Sequence, residues 1–261
     1  MSDPQAVSIQ RLPGHIALVT INRPEARNAV NGAVAQGLQA AIDETEADAE
    51  VWVVILTGSG SDAFSAGADL KAVSGGRGNE LRTERGGFAG FVHAPKTKPW
   101  IAAVNGPALA GGCEIALACD LIVAVPNARF GLPEVKRGLI ASAGGLYRLP
   151  RALPPAVARE MILTGEPIGA ERAHALGMVN VMAADGPGLL DAALALAARI
   201  TVNAPVAVRE SLAVARRALD ATDAELREAS EQGQARNMKS DDYQEGPRAF
   251  IEKRAPNWTG R

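Results

Sequence analysis

Two glutamates stand where a carboxylate is costly. Glu114 follows the Gly111-Gly112 pair inside the otherwise apolar run GGCEIALA, and Glu134 follows Pro133 in FGLPEV. An unpaired charge among apolar neighbours is expensive, so such an acid has either a structural partner or chemistry to do. Two carboxyls near one substrate could share a water and move protons to and from it. Glycine supplies the complementary half. Gly67-Ala68 and Gly111-Gly112 leave the backbone free of bulk, so an N–H can approach a ligand closely. If the second pair opens the helix carrying Glu114, unpaired N–H groups and the positive helix end point outward together. One donor from each loop would form an oxyanion hole for a carbonyl that gains negative charge, where a single donor contributes on the order of 3 kcal/mol. Plainer readings stay open at this level. Glu114 could be an acid favoured by the helix dipole, Glu134 an N-cap or solvated loop acid, and the glycines simple turns.

The elements that must position these groups can be read around them. Three stretches carry the chemistry: AFSAGADLK (63–71), AAVNGPALAGGCEIALACD (102–120) and FGLPEVKRGL (130–139). Each follows a β-rich run: VWVVILTG (51–58), residues 100–105 and residues 121–125. Continuous apolar, β-branched runs suit strands buried on both faces, and ligands of α/β sheets bind at the carboxyl ends of such strands. Upstream, residues 8–22 read as one or two strands around a turn at 12–15. Val34, Leu38, Ala41, Ile42 and Thr45 fall at helical spacing. The alternation of strand, glycine turn and helix argues for an α/β or α+β layered fold with crossover connections. Residues 74–90, SGGRGNELRTERGGFAG, read as a mobile surface loop or short helix. From about Leu189 the chain is almost wholly helical, which places a boundary near 190–200 and divides it into 1–195 and 196–261.

Composition removes several functional classes. The chain has 261 residues, 47% of them hydrophobic and only 4% aromatic, so Ala, Val, Leu, Ile and Gly must build the core. No run approaches the roughly 20 apolar residues of a membrane span. A net charge of −2 gives no general attraction to nucleic acid or to an anionic membrane. The basic residues are mixed with acids, as in RTER and EKRAP, which reads as a solvated face rather than an RNA-binding patch. Cys113 and Cys119 are too few for a disulfide framework or a zinc site and read as small buried hydrophobes. A serine hydrolase would want G-x-S-x-G, whereas Ser65 in AFSAG and Ser142 in IASAG lack the first glycine. Histidine bases are limited to His15, His93 and His174. GSGSD (58–62) is not a dinucleotide fingerprint, and no GK[ST] occurs. The N-terminus lacks a secretory or transit pattern, so a cytoplasmic, metal-free protein is expected.

In this order and spacing, AFSAGADLK, the AAVNG–GGCE–ACD block and FGLPE–GL–GG resemble the crotonase superfamily, and specifically enoyl-CoA hydratases. The likeness continues through LVTINRPEARNAV, MILTGEPIGAERAHALGMVN and EGPRAFIEKRAPNW, and so covers essentially the whole chain. It implies a spiral of ββα units followed by a helical C-terminal region that drives assembly into a homo-trimer, or a hexamer made as a dimer of trimers. It implies an acyl-CoA thioester as substrate, with coenzyme A part of that substrate and no separate cofactor. By resemblance, the oxyanion-hole donors are the N–H groups of Ala68 and Gly111, and the catalytic acids are Glu114 and Glu134. The CoA-contacting run is Ala68, Asp69, Leu70 and Lys71, with Ala26 and Ala66 beside the adenine and pantetheine. Lys71 is then the first candidate for the CoA phosphates, followed by Arg23 and Lys253. Retention of both acids points to a hydro-lyase of the β-oxidation type. Water adds to the 2,3 double bond of a trans-2-enoyl-CoA, Glu114 chiefly activating the water and Glu134 chiefly serving C2.

Within the family, GGFAG (86–90), RLPRALPPAV (148–157) and the C-terminal ending resemble crotonobetainyl-CoA hydratases, also called carnitinyl-CoA dehydratases. Two details pull away from that subgroup. Ala68 stands where it carries an aromatic residue, and a trimethylammonium head favours aromatic or acidic surroundings, in which this sequence is poor. GLIASAGG (138–145) also lacks the Pro-Gly step frequent in hydratases. A general enoyl-CoA hydratase is therefore the first expectation and carnitinyl-CoA dehydratase the alternative. An isomerase, a thioester hydrolase and a non-catalytic scaffold are more remote.

Overall fold

A computed structural model describes residues 5–261. The chain begins with the hairpin β1 (Val7–Leu12) and β2 (Ile16–Ile21), paired antiparallel from Leu12↔Ile16 to Val7↔Ile21. The turn uses Gly14 and His15, both at positive φ. α1 (Gly32–Ala47) starts where the Asn31 side chain accepts the Val34 N–H, an N-cap of the expected kind. It buries Val34, Ala35, Leu38, Ala41, Ile42 and Thr45, the spacing visible in the sequence. β3 (Val53–Gly58) follows and is buried at all but one of its positions.

After β3 come the short α2 (Leu70–Ser74), a 3-10 turn at Gly78–Leu81 and a minimal hairpin, β4 (Arg82–Thr83) with β5 (Gly87–Phe88). The 74–90 stretch is thus not simply a surface loop. Its second half turns inward, with Gly86, Gly87, Ala89 and Gly90 buried. Two strand–strand–helix units then repeat: β6 (Trp100–Val104), β7 (Ala108–Leu109) and α3 (Gly111–Leu117), then β8 (Leu121–Ala124), β9 (Arg129–Gly131) and α4 (Gly145–Ala152). α5 (Pro155–Thr164), β10 (Ile168–Gly169), α6 (Ala170–Ala175) and β11 (Val181–Met182) complete the layered part.

The main sheet runs β1-β2-β3-β6-β8-β11, parallel throughout except for the first pair. A second sheet orders β10-β9-β7. Register matters more here than strand count. Thr57 pairs with Ala103 and Val104 with Ala124, so β3, β6 and β8 end side by side and their three following loops leave from one edge.

The C-terminal part is α7 (Gly188–Thr201), α8 (Pro205–Ala215), α9 (Asp223–Asn237) and α10 (Asp241–Glu252). α7 buries Leu189, Ala193 and Ala197 against the main sheet. α9 opens on a capping box between Thr222 and Glu225. Beyond α8, Arg216 binds both oxygens of Asp120 (2.7 and 2.8 Å) and the Lys98 carbonyl (3.1 Å), tying these helices back to the starts of β6 and β8. Among the described residues no single helix is long and apolar enough to cross a membrane.

Candidate active site

The loop after β3 is fixed from beneath by buried polar groups. Asn28 donates to the carbonyls of Ser59 (2.9 Å) and Ala63 (2.8 Å). Ser65 Oγ donates to the Asn28 carbonyl (2.8 Å) and accepts from Gly67 N–H (3.2 Å). Val30 N–H binds the Gly67 carbonyl and Asp69 N–H binds the Val30 carbonyl, so Ala68 is held from both sides while its own N–H has no acceptor among the described residues. The loop after β6 is tied to this one: Leu109 N–H donates to the Ser65 carbonyl (3.1 Å) and Ala110 N–H to Gly131 (2.9 Å). Ala110, at φ 51°, turns the chain into α3, and the Gly111 N–H likewise finds no acceptor among the described residues. The loops touch at Gly67. Its φ is +84°, and a Cβ there would lie 2.7 Å from the Gly111 nitrogen. Glycine is required because the Gly111 amide packs against it.

Glu114 sits in the first turn of α3 and is 3% exposed. Its Oε1 accepts the Gly145 N–H at 2.9 Å, from the start of α4. Burial pushes its carboxyl above the usual range, opposed by the Gly145 and Ala143 N–H groups and by the Arg148 charge. Glu134 lies in the 3-10 turn Pro133–Arg137 after β9. Burial first, and then the charge of Glu114, push its carboxyl up to about 7, against its own N–H and Arg137. Its Oε2 is buried with no hydrogen-bond partner among the described residues. A buried polar atom left unpaired costs about 1–3 kcal/mol, and such groups concentrate where chemistry needs them. Together these environments place two carboxyls, both raised above the usual range, beside two free backbone donors. That combination can polarise a carbonyl and exchange protons with the adjacent carbons.

The nine residues expected at the catalytic and CoA-contacting positions line one cleft of about 1020 Å³: Ala26, Ala66, Ala68, Asp69, Leu70, Lys71, Gly111, Glu114 and Glu134. Their commitments differ. Asp69 caps α2 through the Lys71 and Ala72 N–H groups and pairs with Arg23 at 3.1 Å. Burial raises its carboxyl, but Arg23 and those N–H groups outweigh burial and leave it below the usual range. Arg23, a candidate for phosphate contact, also donates to Ala29 O at 2.7 Å and is thus engaged in holding the loop. Lys71 is exposed at the cleft with no ion-pair partner among the described residues. Lys253 caps the end of α10 and does not line the cleft.

The cleft also holds Arg27, Arg82, Arg137 and Ile140, which the sequence does not mark as site residues, Phe88 from GGFAG, which it marks only as a likeness, and His93 and Ser142, which it marks only as hydrolase candidates. Burial, then Arg148, Arg82 and Lys96, hold the His93 imidazole below its usual range. Ser142 and His93 both line the cleft, but no serine is hydrogen-bonded to a histidine among the described residues; Ser65 is buried and bonded to backbone, and His174 Nδ1 pairs with the Val179 carbonyl outside the cleft. Burial pushes the Cys113 thiol far up, away from nucleophilic use. Cys119 departs from expectation in being only partly buried. No metal-binding group of His, Cys, Asp and Glu occurs among the described residues.

The chain is similar to known proteins over nearly its whole length. The family model described as enoyl-CoA hydratase/isomerase matches residues 11–261. A carnitinyl-CoA dehydratase of Salmonella typhi is 40% identical over 253 residues, covering 95% of this chain and 96% of that protein. Among solved structures, an enoyl-CoA hydratase from Mycobacterium tuberculosis H37Rv superposes with a TM-score of 0.94 at 46% identity, over 99% of this chain and 100% of that one. A carnitinyl-CoA hydratase from Mycobacterium avium gives a TM-score of 0.77 at 48% identity, again over 99% and 100%.

Proposed function

The chain belongs to the enoyl-CoA hydratase/isomerase family, and on that premise we propose that it is a hydro-lyase that interconverts a 2-enoyl-CoA and its 3-hydroxyacyl-CoA, with crotonobetainyl-CoA and carnitinyl-CoA as the pair. The observation that carries the reaction class is the meeting of a buried carboxyl (Glu114), a half-buried one with a buried unpartnered oxygen (Glu134) and two acceptor-free N–H groups in one cleft. The thioester carbonyl sits between the N–H groups of Ala68 and Gly111. Water oxygen bonds to C3, the π electrons move onto the thioester as an enolate, and the two donors stabilise the charge. Glu114 takes the proton lost by water. Glu134, the carboxyl that holds a proton near neutrality, delivers it to C2. The pair ends with its one proton moved from Glu134 to Glu114, and the reverse sequence expels water.

The acyl group is favoured by similarity to the carnitinyl-CoA dehydratase and hydratase named above, which supports the alternative raised from the sequence more than its first expectation. One observation favours an uncharged enoyl-CoA instead. Among the described residues Phe88 is the one Phe, Tyr or Trp lining the cleft, a thin aromatic setting for a quaternary ammonium. Comparing kcat/KM for crotonobetainyl-CoA and crotonyl-CoA decides between the two. At least tenfold preference for crotonobetainyl-CoA supports the first reading, and the opposite preference replaces it with the second. Absence of hydration with both removes the hydro-lyase reading.

We also read residues 196–261 as the region through which copies of the chain associate. Support comes from apolar side chains left at its surface, including Val202 (65% exposed), Phe250 (85%) and Ile251 (78%). Light scattering on the purified protein tests this, and a monomer at micromolar concentration would discard it.

A further inference from the structure

Arg148 plays no part in the proton transfers just described, yet it is the charged side chain set against Glu114. It lies in the first turn of α4, three residues past the Gly145 N–H that Glu114 accepts. Its side chain folds back to the helix start. Nη1 donates to the Ala143 carbonyl (3.2 Å) and Nη2 to the Val92 carbonyl (2.6 Å). The space it occupies exists because Gly144, at φ +114°, has no Cβ, which would overlap Nη1. The next glycine faces the acid: a Cβ on Gly145 would lie 3.1 Å from Glu114 Cγ. Cation and carboxylate therefore flank two consecutive residues of one turn.

The two carboxyls of the cleft are thereby made unequal. Glu114 has the Gly145 and Ala143 N–H groups and the guanidinium on its side. Glu134 has an unpartnered buried oxygen and the repulsion of Glu114, with its own N–H and Arg137 in its favour. Other charged or titratable groups around Arg148 do not reverse this. Tyr147 and Arg151 share its helix, Cys119 follows α3, and His93 and Lys96 face it from the segment between β5 and β6. Burial and Arg151 weaken its hold on the proton, but a guanidinium stays charged throughout. The Val92 bond adds a mechanical link, because Phe88 and His93 of the same segment line the cleft.

We propose that Arg148 is a positioning residue: its guanidinium staples the Val92 segment to the turn that grips Glu114 and supplies the positive charge that keeps Glu114 the ionised member of the pair. Its meaning in turnover rests on the two-carboxylate reading above, but its physical test does not. Glutamate side-chain carboxyls are labelled with carbon-13 in the full chain and titrated by NMR without substrate. Glu114→Gln and Glu134→Gln assign the two signals.

In the wild-type protein Glu114 is expected to titrate at lower pH than Glu134. In Arg148→Gln its midpoint is expected to rise by about one pH unit, with Glu134 falling as the shared proton redistributes. Arg148→Lys keeps the charge but loses the fork, and is expected to move the midpoint by less than about half as much. A wild-type Glu114 that titrates at or above Glu134 overturns the proposal, whether or not Arg148→Gln folds. A folded Arg148→Gln with an unmoved Glu114 midpoint overturns it as well. If the titrations run as expected while no enoyl-CoA is hydrated, the reaction reading fails and the assignment of Arg148 stands.

Discussion

Raising the pH past neutrality should slow hydration and dehydration by the same factor. The perturbation acts on the single proton held by Glu114 and Glu134. Hydration needs that proton on Glu134, for delivery to C2, and dehydration needs it on Glu114, for the departing hydroxyl. Either way the pair must carry one proton, and the last proton is lost as pH passes the Glu134 value of about 7. Above that point kcat/KM falls about tenfold per pH unit, so about 1% of the plateau is left at pH 9. Adding water to a double bond neither takes up nor releases a proton. The equilibrium constant is then independent of pH, and the kcat/KM profiles of the two directions must superimpose, with apparent values that belong to the pair. The assay is the change in absorbance of the conjugated enoyl thioester from pH 6 to 9.5 at constant ionic strength, started from each side. A kcat/KM at pH 9 within threefold of that at pH 7 would refute a proton on Glu134 as the limiting group.

Other consequences are as direct. Glu114→Gln and Glu134→Gln should each lower kcat by about 10²–10⁴ while acyl-CoA binding by calorimetry stays within threefold. Near-native turnover in either variant sinks the two-carboxyl assignment. Gly67→Ala places a Cβ against the Gly111 amide at a positive φ and should cost about 10²-fold in kcat, the scale of one lost oxyanion donor. An unchanged kcat would mean that the two loops do not need their contact. Glu134→Gln should also raise thermal stability at pH 8 but not at pH 4. The Glu134 carboxyl is raised in the folded state, so stability falls as pH rises from the ordinary carboxylate range to about 7 and then levels off. Relief of about 1 kcal/mol would show as about 2–4 °C in Tm, and an equal gain at both pH values would contradict this. Lys98 is buried and donates to the Thr45 (2.5 Å) and Asp48 (2.6 Å) carbonyls at the end of α1. Lys98→Met should lose about 2–3 kcal/mol in urea unfolding, and a loss under 1 kcal/mol would show those carbonyls to be otherwise satisfied.

What could be read in the sequence was what short-range physics decides. β3, β6 and β8 announce themselves as unbroken apolar runs because both faces are covered, and α1 by its 3.6-residue spacing and Asn31 cap. Glu114 and Glu134 were legible for a related reason: a carboxylate among apolar residues is conspicuous by its cost. The two-residue strands β4, β5, β7, β10 and β11 exist only through tertiary pairing and leave no periodicity to find. Arg23, a phosphate candidate that does line the cleft, is paired with Asp69, 46 residues away, a contact no local pattern announces. Arg148, Phe88 and His93 were illegible as a group. Arg148 reads as one basic residue on a short helix, and its significance comes from Val92, 56 residues upstream. No local pattern records a contact of that span.

Scarcity of aromatic residues then follows from geometry. The two polarising donors are backbone N–H groups on loops from different strands, so those loops must approach until main chain meets main chain. At Gly67 and Gly111 they do, and a single methyl group would separate them. Ala66, Ala68 and Ala110 beside them keep the cleft open while adding no polar group that could compete for the same carbonyl. A site made from side-chain donors could have tolerated larger neighbours. One made from main-chain donors cannot, and the small residues flanking Glu114 are the cost of placing a buried acid next to them.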